Sequence, residues 1–244
     1  MCGFAGIVHT RCKNGGHFVD QALLHRMTGL IKHRGPDDEG YLLLQKASGD
    51  YRSCHGTDSL PAIKDQTAPF PNSYIADVGM GFRRLSILDL SEHGHQPMSL
   101  SDGSLHIVFN GEIYNYLELS EELKSLGCSF FSNTDTEVIL HAYRIWGRDC
   151  CLRFIGMWAF AILNCHTQEL FCSRDPYGIK PFYYSMIDGV FYFASEIKQL
   201  LLCSPDFMLN HTSIWRSMKI NAMLSFRDET FWQGISALEP GHTL

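Results

Sequence analysis

Four things are missing from this sequence. No apolar run reaches the roughly 18 residues that a membrane-crossing helix requires. The opening residues, Met1-Cys2-Gly3-Phe4-Ala5-Gly6, hold no basic stretch leading into an apolar one, so no secretory signal is expected. There is no basic run either. Lys and Arg together number 20 against 26 Asp and Glu, and the net charge is -6, which counts against nucleic acid or an anionic membrane as partner. Finally, none of the 9 cysteines, spread from Cys2 to Cys203, forms a Cys-x-x-Cys pair. That spacing suits neither a zinc ribbon nor a disulfide scaffold. Free thiols in the reducing cytoplasm are the expectation, and Asn210-His211-Thr212 is then a chance match to a glycosylation triplet.

What is present is ample core material. The chain has 244 residues, of which 45% are hydrophobic, enough for one large domain or two small ones. Repeats and low-complexity stretches are absent. Gly3 to His9 reads as a short apolar strand, and Val19 to Lys32 carries Leu23, Leu24, Met27, Leu30 and Ile31 at helical spacing. Tyr41 to Gln45 reads as a strand, and the Ser-, Pro-, Asp- and Gly-rich residues 46–77 as a long loop or insertion.

Strand character resumes over Gly81 to Leu88 and Leu105 to Asn110. Two helices follow. One is capped by Asn115 and presents Leu119, Leu123 and Leu126. The other is opened by Thr134-Asp135-Thr136-Glu137 in capping-box form. Aromatic-rich strands are expected at Met157 to Leu163, Glu169 to Ser173, Phe182 to Ser185 and Val190 to Ala194, with a short helix over Glu196 to Leu202. Helices set between blocks of strands imply packed sheets with helices outside, and not strict β/α alternation.

Cys2 is the chemically suggestive residue. Removal of Met1 would leave a thiol and a free α-amine on one residue. An amine with a pKa of about 7.7–8.0 can take the thiol proton near neutral pH and return it to a leaving amine. Alone, a cysteine at position two is an ordinary small residue at a chain start. One residue is not a constellation.

The wider pattern supplies the constellation. After Met1-Cys2-Gly3-Phe4-Ala5-Gly6 come His33-Arg34-Gly35-Pro36-Asp37, Arg84-Leu85-Ser86-Ile87-Leu88-Asp89 and Gln96-Pro97-Met98. Then follow Asn110-Gly111-Glu112-Ile113-Tyr114-Asn115, Thr134-Asp135-Thr136-Glu137 and Gly156-Met157-Trp158-Ala159-Phe160-Ala161. Arg174-Asp175-Pro176-Tyr177-Gly178-Ile179-Lys180-Pro181 and Ala194-Ser195-Glu196-Ile197-Lys198 complete the series. In this order, over nearly the whole chain, they resemble the glutaminase domain of glutamine-hydrolysing asparagine synthetase, a class II glutamine amidotransferase of the N-terminal-nucleophile type.

The resemblance implies an α+β fold, an αββα sandwich of two antiparallel sheets with helices on both outer faces. It implies Cys2 as nucleophile, with the Asn110 amide and the Gly111 N–H as oxyanion hole. Two fixed donors stabilise charge where it develops. On its own, Asn-Gly reads more simply as a hairpin turn. Arg84 is expected to hold the glutamine α-carboxylate, as a guanidinium fork suits a planar anion, with Asp135 on the α-ammonium. The simpler readings are a strand-end arginine and a first-turn carboxylate at a helix N-terminus. Leu85, Ser86, Ile87, Leu88 and Glu112 would line the same pocket. Arg34 is expected to shape the site, not to do chemistry. Arg83 is a rival to Arg84, standing where the family often has a histidine nearby. Asp89, Glu92, His93 and His95 are read as a solvated polar loop, so no metal is expected.

Residues 1–203 are expected to form the amidotransferase core. Residues 204–244 would be its last part and the approach to a C-terminal synthetase domain absent from this chain. The Ser-Gly-Gly-x-Asp-Ser loop of that domain does not occur here. The glutaminase itself is therefore expected to need no cofactor, with ATP and magnesium confined to the absent domain. Glutamine and the synthetase domain are the expected partners, and a homodimer is left open. Two alternatives stand beside this reading: a related amidotransferase with a sugar or cell-surface acceptor, and a silent glutamine-binding domain.

Overall fold

The computed structural model describes residues 1–10, 18–46, 48–87, 89–220 and 227–244. In chain order the elements are β1 (Gly3–His9), α1 (Gln21–Gly29), β2 (Asp38–Leu44), β3 (Tyr51–His55), α2 (Pro61–Gln66), β4 (Ala68–Pro69), β5 (Val78–Arg84), β6 (Met98–Ser99) and β7 (Leu105–Ile113). There follow α3 (Tyr116–Ser125), α4 (Asp135–Trp146), β8 (Gly156–Asn164), β9 (Glu169–Arg174), β10 (Tyr183–Ile187), β11 (Val190–Ala194), α5 (Ile197–Leu200), α6 (His211–Ile220) and β12 (Ser236–Ala237). The strands form two sheets, ordered β12-β10-β11-β1-β5-β2-β3-β4 and β6-β7-β8-β9. Pairing is antiparallel except for a two-residue parallel contact of β3 with β4.

The period-two alternation of strands builds the layers. Phe4 and Val8 of β1 pack between the sheets with Val108, Ala159 and Ala161, while Ala5 and Ile7 pack with Leu24 and Met27 of α1. On the smaller sheet, Trp158, Phe160 and Ile162 point the other way, against Leu123 of α3 and Ile139 and Ala142 of α4. Both faces of β1 and β8 are therefore covered, which is why these strands read as continuous apolar runs. The expected αββα sandwich is present. Phe4, Phe182 and Phe193 meet between the sheets at centroid distances of 5.5–6.0 Å. Each such burial is worth about 1.5–3 kcal/mol. Gly6 makes room for them, since a Cβ there would lie 2.0 Å from the Phe193 ring.

Several local expectations are corrected. Residues 46–77 are not one long loop: β3, α2 and β4 lie within them, and the two strands extend the larger sheet. The strand expected at Gly81 to Leu88 is β5, ending at Arg84, where the chain leaves β1 and β2. Asn110-Gly111 is not a turn. It lies inside β7, opposite Ala159 and Trp158 of β8.

The capping box at Thr134 is half formed. Thr134 accepts from Glu137 N–H at 3.3 Å, but the buried Glu137 carboxylate turns to Phe131 and Ser132 N–H instead of back to the cap. Asn115 precedes α3 without a side-chain cap, because its amide bridges Arg153 C=O and Ile155 N–H. Beyond residue 203, Ala237 pairs with Tyr183, and Leu244 exchanges two backbone hydrogen bonds with Cys172. No helix among the described residues is long and apolar enough to cross a membrane.

Candidate active site

Cys2 stands one residue before β1, in the middle of the larger sheet. Its sulfur accepts from Leu85 N–H at 3.3 Å and lies 3.5 Å from Leu85 C=O. Arg34, in the turn after α1, donates from Nε to Cys2 C=O at 2.8 Å, and its other arm meets Glu196 at 3.1 Å. His33 reaches the same carboxylate at 2.9 Å. Arg34 thus ties the Cys2 backbone to the residue that precedes α5. Burial pushes the Cys2 thiol above its usual pKa, against lowering by Leu85 N–H, the chain's amino terminus and Arg84. A thiol held protonated needs a base beside it before it can attack. Met1 is 59% exposed, so the bond preceding Cys2 lies at the surface.

Cys2 opens onto a cleft of about 410 Å³, a size ordinary for small-molecule sites. Asn110 and Gly111 form one wall. Asn110 is 1% exposed, and its side-chain Nδ2 has no hydrogen-bond partner among the described residues. A buried donor left unpaired costs about 1–3 kcal/mol, so such groups call for an explanation. A Cβ on Gly111 would lie 2.3 Å from Met157 C=O, so only glycine lets β7 run this close to β8.

Two charges face the cleft. Arg84 donates to the carbonyls of Ser91 and Asp89, neither of them an anion, so its charge is uncompensated by these contacts. Arg83 points to the opposite face of β5 and is committed to Glu39 and Asp58, each at 2.7 Å. Alternation along the strand therefore puts Arg84, and not Arg83, at the cleft. Asp135, the first residue of α4, accepts Ile113 N–H at 3.0 Å. Burial pushes its carboxyl up to about 6, opposed by the Ile113 and Thr136 N–H groups and aided by Glu112.

Of the other expected residues, Leu85, Ile87 and Glu112 line the cleft. Ser86 is not among its lining residues; its N–H is given to Asp37 at 2.9 Å. Leu88 lies outside the described residues. Asp89 accepts from Ser91, and His95 pairs with Asp38 at 2.7 Å. Among the described residues no group of three or more His, Cys, Asp or Glu is placed to hold a metal.

Gln96, Met157, Ile179 and Lys180 also line the cleft; they lie in motifs noted in the sequence but were given no role there. Gln96 accepts Phe109 N–H at 2.7 Å and donates to Thr136 Oγ1 at 3.3 Å, tying β7 to α4. Ile179 and Lys180 are brought in by Asp175, whose buried carboxylate accepts N–H groups of Trp158, Tyr177, Ile179 and Lys180. The signal for them was the Asp-Pro-Tyr-Gly turn just before. A thiol, an unpaired amide donor, a guanidinium and a carboxylate around one cleft can hold a small zwitterion and attack a carboxamide in it.

Comparison with known proteins agrees. A family model described as a glutamine amidotransferase domain matches residues 64–244. The asparagine synthetase [glutamine-hydrolyzing] 1 of Bacillus subtilis (strain 168) is 36% identical over 242 residues, 99% of this chain and 33% of its own length. A putative asparagine synthetase [glutamine-hydrolyzing] 2 of Methanocaldococcus jannaschii is 39% identical over 215 residues, 82% of this chain and 35% of its own. The chain thus spans about a third of these curated relatives. Among solved structures, the glutamine phosphoribosylpyrophosphate amidotransferase from B. subtilis superposes with a TM-score of 0.63 at 21% identity, covering 82% of this chain and 43% of that one, a likeness of fold. By motif order, architecture and family model together, this chain belongs to the glutamine amidotransferase domain family.

Proposed function

We propose that Cys2, once Met1 is removed, hydrolyses glutamine to glutamate and ammonia. The freed α-amine takes the thiol proton, and the sulfur attacks the side-chain carboxamide carbon. The oxyanion rests on Asn110 Nδ2–H and Gly111 N–H. The C–N bond then breaks, the amine returns the proton to the departing nitrogen as ammonia, and a thioester remains. Water attacks it through the same hole, giving glutamate and the thiol. Arg84 grips the α-carboxylate and Asp135 the α-ammonium, with Glu112, Leu85 and Ile87 at the sides. Gripping both ends favours the free amino acid over a glutamine within a polypeptide.

The observation that carries this reading is the unpartnered Asn110 amide in the cleft of Cys2. The ammonia is destined for an ATP- and magnesium-using synthetase domain that makes asparagine, as in the relatives' names, in the cytoplasm. The test is ammonia release from glutamine by protein of verified N-terminal mass, beside Cys2→Ala. Equal rates in the two would dismiss the nucleophile. A glutamine-like alkylating reagent is expected to label Cys2 alone.

A further inference from the structure

The segment that reads as an insertion, together with α1, encloses a second cleft that shares no lining residue with the first. Its volume is about 570 Å³, and its walls are Gln21, His25 and Arg26 from α1 against residues 55–57, Lys64 and 69–72. In a chain of net charge -6 its titratable lining is wholly basic: His25, Arg26, His55 and Lys64. Lys64 donates to Thr57 C=O at 2.8 Å, and His55 turns Nδ1 to Thr67 at 3.1 Å, so neither meets a carboxylate there. Glu39 lies directly behind Gly56, but its charge is taken by Arg83 at 2.7 Å. Concave, uncompensated positive charge is the mark of an anion site.

The cleft also has an aromatic wall. Phe70 packs on Tyr41 at 4.2 Å, and the His25 ring lies nearly parallel to Phe70, 19° apart at 6.1 Å. Gln21 stands at the base, 6% exposed. Its amide nitrogen is given to Tyr74 C=O, and its amide oxygen has no donor among the described residues. A simple anion would use the positive charge and leave the rings and this acceptor idle. A flat heterocycle with an N–H group and a phosphate would use all three.

We propose that this cleft binds a nucleoside monophosphate, its phosphate between Arg26 and Lys64 and its base against His25 and Phe70. The site goes beyond the hydrolysis of glutamine and does not depend on Cys2. The test is calorimetric titration of the wild-type protein and of an Arg26→Ala/Lys64→Ala variant with AMP, adenosine and inorganic phosphate. Saturable binding of one AMP is expected, with adenosine and phosphate each weaker by about tenfold or more. The double variant is expected to lose about tenfold for each charge-assisted contact removed. Both substitutions are at exposed positions, and unchanged ammonia release from glutamine in the variant certifies its fold. Absence of saturable AMP binding would overturn the proposal. So would undiminished binding by the double variant, or phosphate binding as tightly as AMP.

Discussion

Replacing Asn110 with alanine separates chemistry from stability in a way few buried substitutions do. Its Nδ2 is buried and unpaired, a resting cost of about 1–3 kcal/mol. Alanine removes that cost. The space left borders the open cleft, where water can enter, so the usual penalty for a sealed cavity is small. These contributions nearly cancel, and the variant's melting temperature is expected to stay within about 2 °C of the wild type or to rise. Turnover behaves differently. Losing one oxyanion donor costs about 3 kcal/mol of barrier, a fall in kcat on the order of 10²–10³-fold with KM for glutamine little changed. The assay is steady-state ammonia release beside thermal unfolding followed by circular dichroism. A large drop in melting temperature with near-normal kcat would refute the reasoning and make Asn110 a packing residue.

The two adjacent arginines are expected to fail differently. Arg83→Ala strands the fully buried Glu39 carboxylate and should destabilise by about 3–5 kcal/mol, read by denaturant unfolding. Arg84→Lys keeps the charge but loses the fork, so KM for glutamine should rise about tenfold with the denaturation midpoint nearly unchanged. For Asp135, raised to about 6, the folded protein holds a proton between about pH 4 and 6 that the unfolded chain has released. Its contribution therefore favours folding below that window and turns against it as pH rises through 6. Asp135→Asn should melt higher than wild type at pH 7.5, by a margin that vanishes near about pH 4, while KM for glutamine rises about tenfold or more. In the wild type, KM should climb as pH falls below about 6, because the carboxylate that holds the ammonium is lost.

What the sequence disclosed and what it hid divide along the range of the interactions involved. Cys2, the Asn110-Gly111 pair and the start of α4 lie in short contiguous motifs, and it is the order of such motifs that carries the resemblance and the roles it implies. The layer order came from the resemblance and not from alternation: Phe4/Ala5 and Trp158/Ala159 face different cores, but with both faces covered β1 and β8 read as continuous apolar runs. Which arginine faces the cleft was not readable. That depends on the register Gly3↔Arg83, set by strands far apart in sequence. The place of Lys180 in the cleft was hidden as well, since it rests on Asp175 closing a local loop and tying it to Trp158 N–H on β8. Residues 46–77 misled because β3 and β4 lie at a sheet edge. Edge strands are short and polar there, as a guard against pairing with other chains, and so resemble loop in composition.

The position of β1 has a practical consequence. Chain ends usually fray, but this one is gripped between β5 and β11, with the Arg34 guanidinium on its second carbonyl. Anything fused ahead of it would leave beside the cleft that Met1 lines and, under the proposed reaction, would convert the amine that serves as base into an amide. A purification tag placed there would yield folded, inert protein until a protease trimmed it back to the cysteine, whereas a tag at the other end would leave the thiol's neighbour free.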